Sequence, residues 1–259
     1  MNILDKIVAD KYKEVALRKQ LIPVKQLENS VLFERRCTSL AAALSKSNSG
    51  IIAEHKRRSP SKSTINNGLN VQDVAMGYQN AGACGMSVLT DGKYFGGSLD
   101  DLILARAASS FPLLRKEFII DTYQILEAKA YGADVILLIA AVLSQQEIKN
   151  LSEFAKSLGM DVLLEVHDLD ELQKSIMPSL DMLGVNNRNL KTFEVSLDIS
   201  KTLSTAIPDD FVKVSESGIS SVAAIKELMP YGYKGFLIGE NFMKTDNPGL
   251  SAETFINQL

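Results

Sequence analysis

Eight short apolar runs, each followed by a polar-patterned segment long enough for a helix, leave this chain few folds to choose from. The runs are Gly50–Glu54, Gly85–Leu89, Pro112–Lys116, Asp134–Ile139, Asp161–Val166, Asp181–Val185, Phe211–Ser215 and Gly235–Ile238. Helical patterns lie between them, from Val71–Ala81 through Ser220–Met229, with a last one near Ser251–Gln258. Strands that alternate with helices of this length are joined by right-handed crossovers and lie parallel. Residues 49–259 spread over eight units give about 26 residues each, within the repeat size of a (β/α)8 barrel. Length alone would also allow a doubly wound sheet; the number of units selects the TIM barrel. No Gly-x-Gly-x-x-Gly follows the first run, as a dinucleotide-binding sheet would carry.

The expected fold is therefore α/β, a (β/α)8 barrel over 49–259 behind an N-terminal helical extension over 1–48, forming a single domain. In the extension, Ile3, Leu4, Ile7, Val8 and Val15 fall at near-helical spacing among charges. That pattern predicts an amphipathic helix lying on the barrel as an appendage, not as part of its core. The only long turn-rich stretch, Ser59–Gly68, sits inside the first strand-to-helix connection, where a barrel builds its active-site loops.

Composition narrows the function classes. The chain has 259 residues, with 28 Lys+Arg against 31 Asp+Glu for a net charge of -3, so the surface as a whole is not built for nucleic acid or an anionic membrane. Any anion must be met by a local site. Two cysteines and two histidines are too few for a Cys/His zinc site or a disulfide framework. The longest apolar run, Val135 to Leu143, is far short of the roughly 20 residues that span a bilayer. The charged N-terminus lacks the apolar stretch of a signal peptide. A cytoplasmic protein is expected, with no metal and no cofactor.

The informative residues are charges planted where strands should be apolar. Alternation in IIAEHK sends Ile52, Glu54 and Lys56 to one face, LLRKEF sends Leu114, Lys116 and Phe118 to one face, and DVLLEVH does the same for Leu163, Glu165 and His167. In a barrel that face is the interior near the C-terminal rim, where catalytic groups sit. Two lysines and two glutamates at one rim can work as general acid and base, a desolvated lysine can form a Schiff base, and the same charges can form a merely structural ion-pair network. Beyond the sixth strand, Asn186, Asn187, Arg188 and Asn189 suit hydrogen bonding to a polyol or carboxylate, or simple turn chemistry. SESGI and LIGEN end the last two strands and place Gly218 and Gly239 where backbone turns into helix, leaving N–H groups free for a phosphate. His55 is expected to face the helical shell as a satisfied structural histidine, while the role of His167 stays open. Cys84 begins its strand without a base partner and is expected to be a small packed residue.

The motifs IIAEHKRRSPSKS, GMSVLTDGKYFGGS, LLRKEFIID, LLEVHDLDEL, LGVNNRNLKTFEV, VSESGI and LIGENFM, in this order from about residue 4 to about 248, closely resemble those of the indole-3-glycerol phosphate synthase family of tryptophan biosynthesis. The resemblance implies a carboxy-lyase that closes 1-(2-carboxyphenylamino)-1-deoxyribulose 5-phosphate to indole-3-glycerol phosphate with loss of CO2 and water. It implies Lys116 as the general acid on the substrate carbonyl and Glu165 as the acid/base group of the later dehydration. Lys56 would meet the substrate carboxylate or phosphate and Glu54 would orient the lysines. Asn186 and Glu216 match active-site positions, and Arg188 would buttress the Asn186 loop. Ser217, Gly218, Gly239 and Glu240, joined by Ser59, would cradle the phosphate, with Phe95 and Phe118 on the anthranilate ring. Two positions depart from the family's commonest pattern: Glu117 stands where Asp is usual and Ser63 where Gly is. The implied partner is a small phosphorylated substrate, met by a monomer, with weak association to other tryptophan-pathway enzymes as a further expectation.

Two other readings set the terms of comparison. A phosphoribosylanthranilate isomerase-like barrel needs a cysteine base at a strand end, and Cys84 starts its strand instead. A non-catalytic phospholigand-binding barrel would lack the acid or the base, whereas Lys116 and Glu165 are both present.

Overall fold

The computed structural model describes residues 3–190 and 192–259; Lys191, within the motif after the sixth strand, lies outside them. Eight strands, β1 (Ile51–His55), β2 (Gly85–Leu89), β3 (Leu113–Lys116), β4 (Val135–Ile139), β5 (Asp161–Val166), β6 (Met182–Asn186), β7 (Val212–Glu216) and β8 (Tyr233–Ile238), pair in parallel in chain order. β8 closes on β1 through Ile51–Ala53 and Phe236–Ile238. The expected (β/α)8 barrel is the observed one. β6 and β7 each run one residue further than the apolar runs indicate, to Asn186 and Glu216, which face each other in register.

Alternation along the strands divides the apolar residues between two cores. Ile51, Ala53, Met86, Val88, Ile136, Leu138, Val162 and Leu164 point outward into the helical shell. Ile52, Leu114, Leu137, Leu163, Met182, Val214 and Leu237 point inward and fill the barrel. Six of the eight inward rows end at the C-terminal rim in a polar side chain or a glycine, while β2 and β4 end in Leu89 and Ile139, so the interior changes from packed hydrocarbon to a charged mouth within one strand length.

Three helices precede the barrel: α1 (Ile3–Leu21), α2 (Val24–Glu28) and α3 (Leu40–Lys46). The first, α1, lies on the barrel outside its core as expected, but the third is not an appendage. Leu40 and Leu44 of α3 are fully buried and belong to the barrel's interior cluster, closing its N-terminal end. Room for them comes from Gly85 and Gly235, where an added Cβ would lie 2.8 Å from Leu40 and 3.1 Å from Leu44. Burying two leucines contributes about 1.5–3 kcal/mol each, which the spacing of charges in the first 48 residues does not reveal. The connection is fixed by buried carboxylates on the barrel floor. Asp134 accepts from Thr38 N–H and pairs with Arg35 at 2.8 Å and Arg106 at 2.9 Å, while Asp161 accepts from the Ser39 hydroxyl that caps α3.

α1 lies along the barrel wall toward the rim. It buries Ile7, Lys11 and Val15, and its flank is held by Arg18 on Glu127 at 2.5 Å and Lys19 on Asp121 at 2.6 Å. Two four-residue helices at the rim, Gly92–Phe95 and Glu240–Met243, escape the sequence reading because one turn is too short to show a period.

Candidate active site

β1, β3, β5, β6 and β7 each deliver one polar side chain to the interior at the rim: Glu54, Lys116, Glu165, Asn186 and Glu216. Lys116 stands at the centre. Its ammonium donates to Glu165 at 3.0 Å and, by a short contact, to Glu216. Asn186 donates to the other oxygen of Glu165 at 3.0 Å. On the far side Glu54 pairs with Lys56 at 2.7 Å and accepts from Ser87 at 3.4 Å. Two glycines make this crowding possible. A Cβ at Gly239 would lie 2.5 Å from Glu54 Oε1, and one at Gly184 would strike Glu216 Oε1.

The cluster sorts its protons. Burial works against a charged Lys116, but Glu216, Glu165 and Glu54 more than offset it and hold its pKa above that of an ordinary lysine. Burial also works against ionised Glu165, yet Lys116, His167 and Asn186 outweigh it and bring Glu165 down to about 2. Glu216 is pushed the other way, to about 7, by burial and by its proximity to Glu165 against the pull of Lys116. Carboxylates driven apart around one lysine are the arrangement from which an acid and a base can be drawn at neutral pH.

Above the cluster opens a cavity of about 370 Å³. All fourteen side chains singled out from the sequence line it: Glu54, Lys56, Ser59, Phe95, Lys116, Phe118, Glu165, Asn186, Arg188, Glu216, Ser217, Gly218, Gly239 and Glu240. One corner is apolar, with Phe95 and Phe118 at 6.0 Å between ring centroids. They are joined there by Leu89 and by Ile3, Leu4 and Ile7 of α1. The opposite corner is built of backbone turns. Ser217 and Gly218 are consecutive left-handed residues, with φ of 66° and 79°, and the next helix begins only at Val222, capped by Ser221. Gly218 is thus a turn residue and not a helix entry, a correction to the sequence reading; a Cβ there would strike Val195 of the β6 loop. Gly239 does open a helix, the single turn Glu240–Met243, whose first N–H groups have no carbonyl within it to bond.

Loops close the rim. Arg188 donates its N–H to Asn186 Oδ1 at 3.0 Å and its guanidinium to the Phe193 carbonyl, tying down the loop after β6. Lys62, from the loop after β1, reaches Glu240 across the mouth at 2.7 Å. The sequence reading missed Leu137 and Ile139 on the inward face of β4, which floor the cavity, and Asn241 and Lys244 beside the glycine turn. The first two were open to the same alternation argument used for β1, β3 and β5. No pattern marks Lys11, which is 2% exposed and pairs with Glu14 at 2.8 Å, Asp91 at 3.0 Å and Glu117 at 3.1 Å behind the apolar corner.

His55 faces the helical shell as expected, but its Nε2 has no hydrogen-bond partner. Burial, with Arg57 nearby, lowers its pKa to about 4 and keeps it neutral. Cys37 and Cys84 are free thiols.

The family model described as indole-3-glycerol phosphate synthase matches residues 4–255. The chain belongs to the indole-3-glycerol phosphate synthase family. A relative of that name from Bacteroides thetaiotaomicron is 46% identical over 258 residues, covering 100% of this chain and 99% of its own length. Another, from Polaromonas sp. strain JS666, is 44% identical over 254 residues, with 96% of each chain covered. Solved structures outside the family share only the barrel. KGPDC from Streptococcus mutans superposes with a TM-score of 0.61 at 13% identity, over 81% of this chain and 97% of that one. A structure described as native KDPGal gives 0.57 at 12%, over 83% and 98%.

Proposed function

We propose that the protein is an indole-3-glycerol phosphate synthase, closing the carboxyphenylamino-deoxyribulose phosphate to the indole with loss of CO2 and water. The observation that carries this reading is Lys116 fixed between Glu165 and Glu216 in a cavity that an aromatic pair and two glycine turns also line. A substrate with an anthranilate ring at one end and a phosphate at the other spans such a cavity with its ketone near Lys116. Proximity and a charged donor then supply the catalysis.

In this reading Lys116 gives its proton to the ketone oxygen as the aromatic carbon attacks, a developing alkoxide being basic enough to take it. A lysine held charged by three carboxylates is suited to this and unsuited to a Schiff base, which needs the free amine. Carbon dioxide then departs, its bonding electrons restoring the ring. Glu165 protonates the hydroxyl that leaves as water and takes up the proton lost from the adjacent methylene, and Asn186 fixes its orientation. Lys56, turned by Glu54, meets the substrate carboxylate or phosphate. Phe95 and Phe118 hold the ring, while Ser59, Ser217, Gly218, Gly239 and Glu240 surround the phosphate, with Arg188 bracing the loop beside it.

The same reading takes 1–48 as an extension of one catalytic domain and the protein as a cytoplasmic monomer. Weak contact with other enzymes of the pathway belongs to it as a finer proposal. The test is incubation of purified protein with the substrate while indole fluorescence is followed. Appearance of the fluorescent product supports the reading, and its absence from the intact folded protein removes it.

A further inference from the structure

His167 stands behind Glu165, outside the cavity, and the reaction scheme gives it nothing to do. Its Nδ1 lies 3.1 Å from Glu171 Oε2, and the same oxygen accepts the His167 backbone N–H at 2.8 Å. Its Nε2 lies 3.4 Å from Glu165 Oε1 but out of line for a hydrogen bond, buried and without any other partner. Each ring nitrogen therefore has a carboxylate oxygen within 3.4 Å, a pair of neighbours that favours the imidazolium by charge, and a small turn of the ring would bring a second N–H into line with Glu165, where a neutral ring offers only one. Charged groups reach it from every side: Glu165 on β5, Glu171 on the helix Leu169–Ser175, Glu216 on β7, and Lys116 on β3 beyond Glu165. Burial alone would lower its pKa, yet the bond to Glu171 and the carboxylate charges raise it above that of an ordinary histidine.

The proposed reaction consumes a proton. A substrate carboxylate that leaves as CO2, together with a hydroxyl that leaves as water, balances only if one proton is taken up. Lys116 supplies that proton at the ketone oxygen, and the dehydration needs a second one for the departing hydroxyl before a C–H proton is released in return. Glu165, drawn down to about 2, is a poor store for that second proton, and a substrate filling the mouth shuts out water. Glu216 can hold a proton, but its hydrogen bond goes to Lys116 and not to Glu165.

We propose that His167 is the proton reservoir of Glu165, a positioning residue that acts through that carboxylate. During turnover the N–H bond at His167 Nε2 breaks as an O–H bond forms at Glu165 Oε1, the electron pair staying on the ring nitrogen. Glu165 passes the proton to the departing hydroxyl. The neutral ring keeps its Nδ1–H on Glu171 and is recharged through Glu165 by the C–H proton that the substrate's methylene gives up as the indole double bond forms, while Lys116 recovers its own proton when product leaves and water enters. This rests on the synthase reading given above.

The experiment compares kcat and KM against pH for the wild-type protein, His167→Gln and Glu171→Gln, and adds free imidazole to His167→Ala. The wild type loses kcat as pH rises through the histidine's raised pKa. His167→Gln lowers kcat about tenfold to a hundredfold with KM within about twofold, and loses that limb. Imidazole restores part of the activity of His167→Ala, and Glu171→Gln moves the limb to lower pH. A His167→Gln variant with wild-type kcat and limb overturns the proposal, as does a pH-independent loss that imidazole leaves untouched. Should His167→Gln fail to fold, an unmoved limb in Glu171→Gln overturns it alone. A wild-type protein without turnover overturns the synthase reading instead.

Discussion

Lys11 on α1 and Glu117, the residue after Lys116, form a buried ion pair at 3.1 Å. Glu117 Oε1 also accepts the N–H of Phe118, and Asp91, the other buried partner of Lys11, caps the short helix that ends in Phe95. One cation from the N-terminal extension thus braces both aromatic residues of the cavity. The extra methylene that distinguishes Glu117 from an aspartate carries its carboxylate to partners behind the site and not within it, where it meets Lys11, Arg115 and Thr90.

Removing that cation leaves two carboxylates buried without their shared partner. Lys11→Met is expected to lose about 3–5 kcal/mol in denaturant unfolding. Burial alone would raise the pKa of Glu117, but Lys11 and Arg115 hold it below the ordinary carboxylate range. Its contribution to stability is therefore present above that range and lost as pH falls through the depressed value. Without Lys11 the loss begins at higher pH, which a pH series of thermal melts will register.

Glu216 gives the opposite sign. Its pKa is raised to about 7 in the folded protein, so the native state holds a proton that the unfolded chain gives up nearer the ordinary value. Stability from this residue is full below the unfolded pKa and declines as pH rises toward 7. Glu216→Gln should flatten that decline, with melts at pH 8 above those of the wild type and activity reduced. Melts that fall in parallel for both proteins between pH 5 and pH 8 would contradict the assignment.

Two glycine substitutions separate crowding from backbone strain. Gly239→Ala places a Cβ 2.5 Å from Glu54 Oε1 and 3.1 Å from its Cβ, so Glu54 and its partner Lys56 must move. We expect kcat/KM to fall by about tenfold or more, or about 1.4 kcal/mol. Gly159→Ala meets nothing within 4 Å but sits at φ 71°. That variant should lose about 1 kcal/mol of stability at unchanged kcat/KM. Equal kinetics in the two would show that the Glu54–Lys56 geometry is not needed.

Much of this was legible in the chain. Period-2 alternation placed Glu54, Lys116 and Glu165 on the inward face because a strand's geometry is local and regular. Gly239 was legible as a helix entry because it is a small residue directly after the last apolar run, where the backbone turns into the next helix. Gly218 was misassigned because a left-handed turn and a helix start use the same residue, and only Val195 lying against it tells them apart. Leu40, Leu44 and Lys11 were illegible as barrel components. Their partners, Gly85, Gly235, Asp91 and Glu117, are 45 to 191 positions away in sequence, and such contacts leave no period to read.

In the proposed reaction Lys116 is the acid of ring closure. The most direct test of that role is a single-turnover comparison of wild type and Lys116→Met with the carboxyphenylamino-deoxyribulose phosphate, following indole fluorescence alongside substrate binding. Removal of a general acid predicts that the variant remains folded and binds substrate but forms product at least about a hundredfold more slowly. Product formation within tenfold of the wild-type rate would contradict the account.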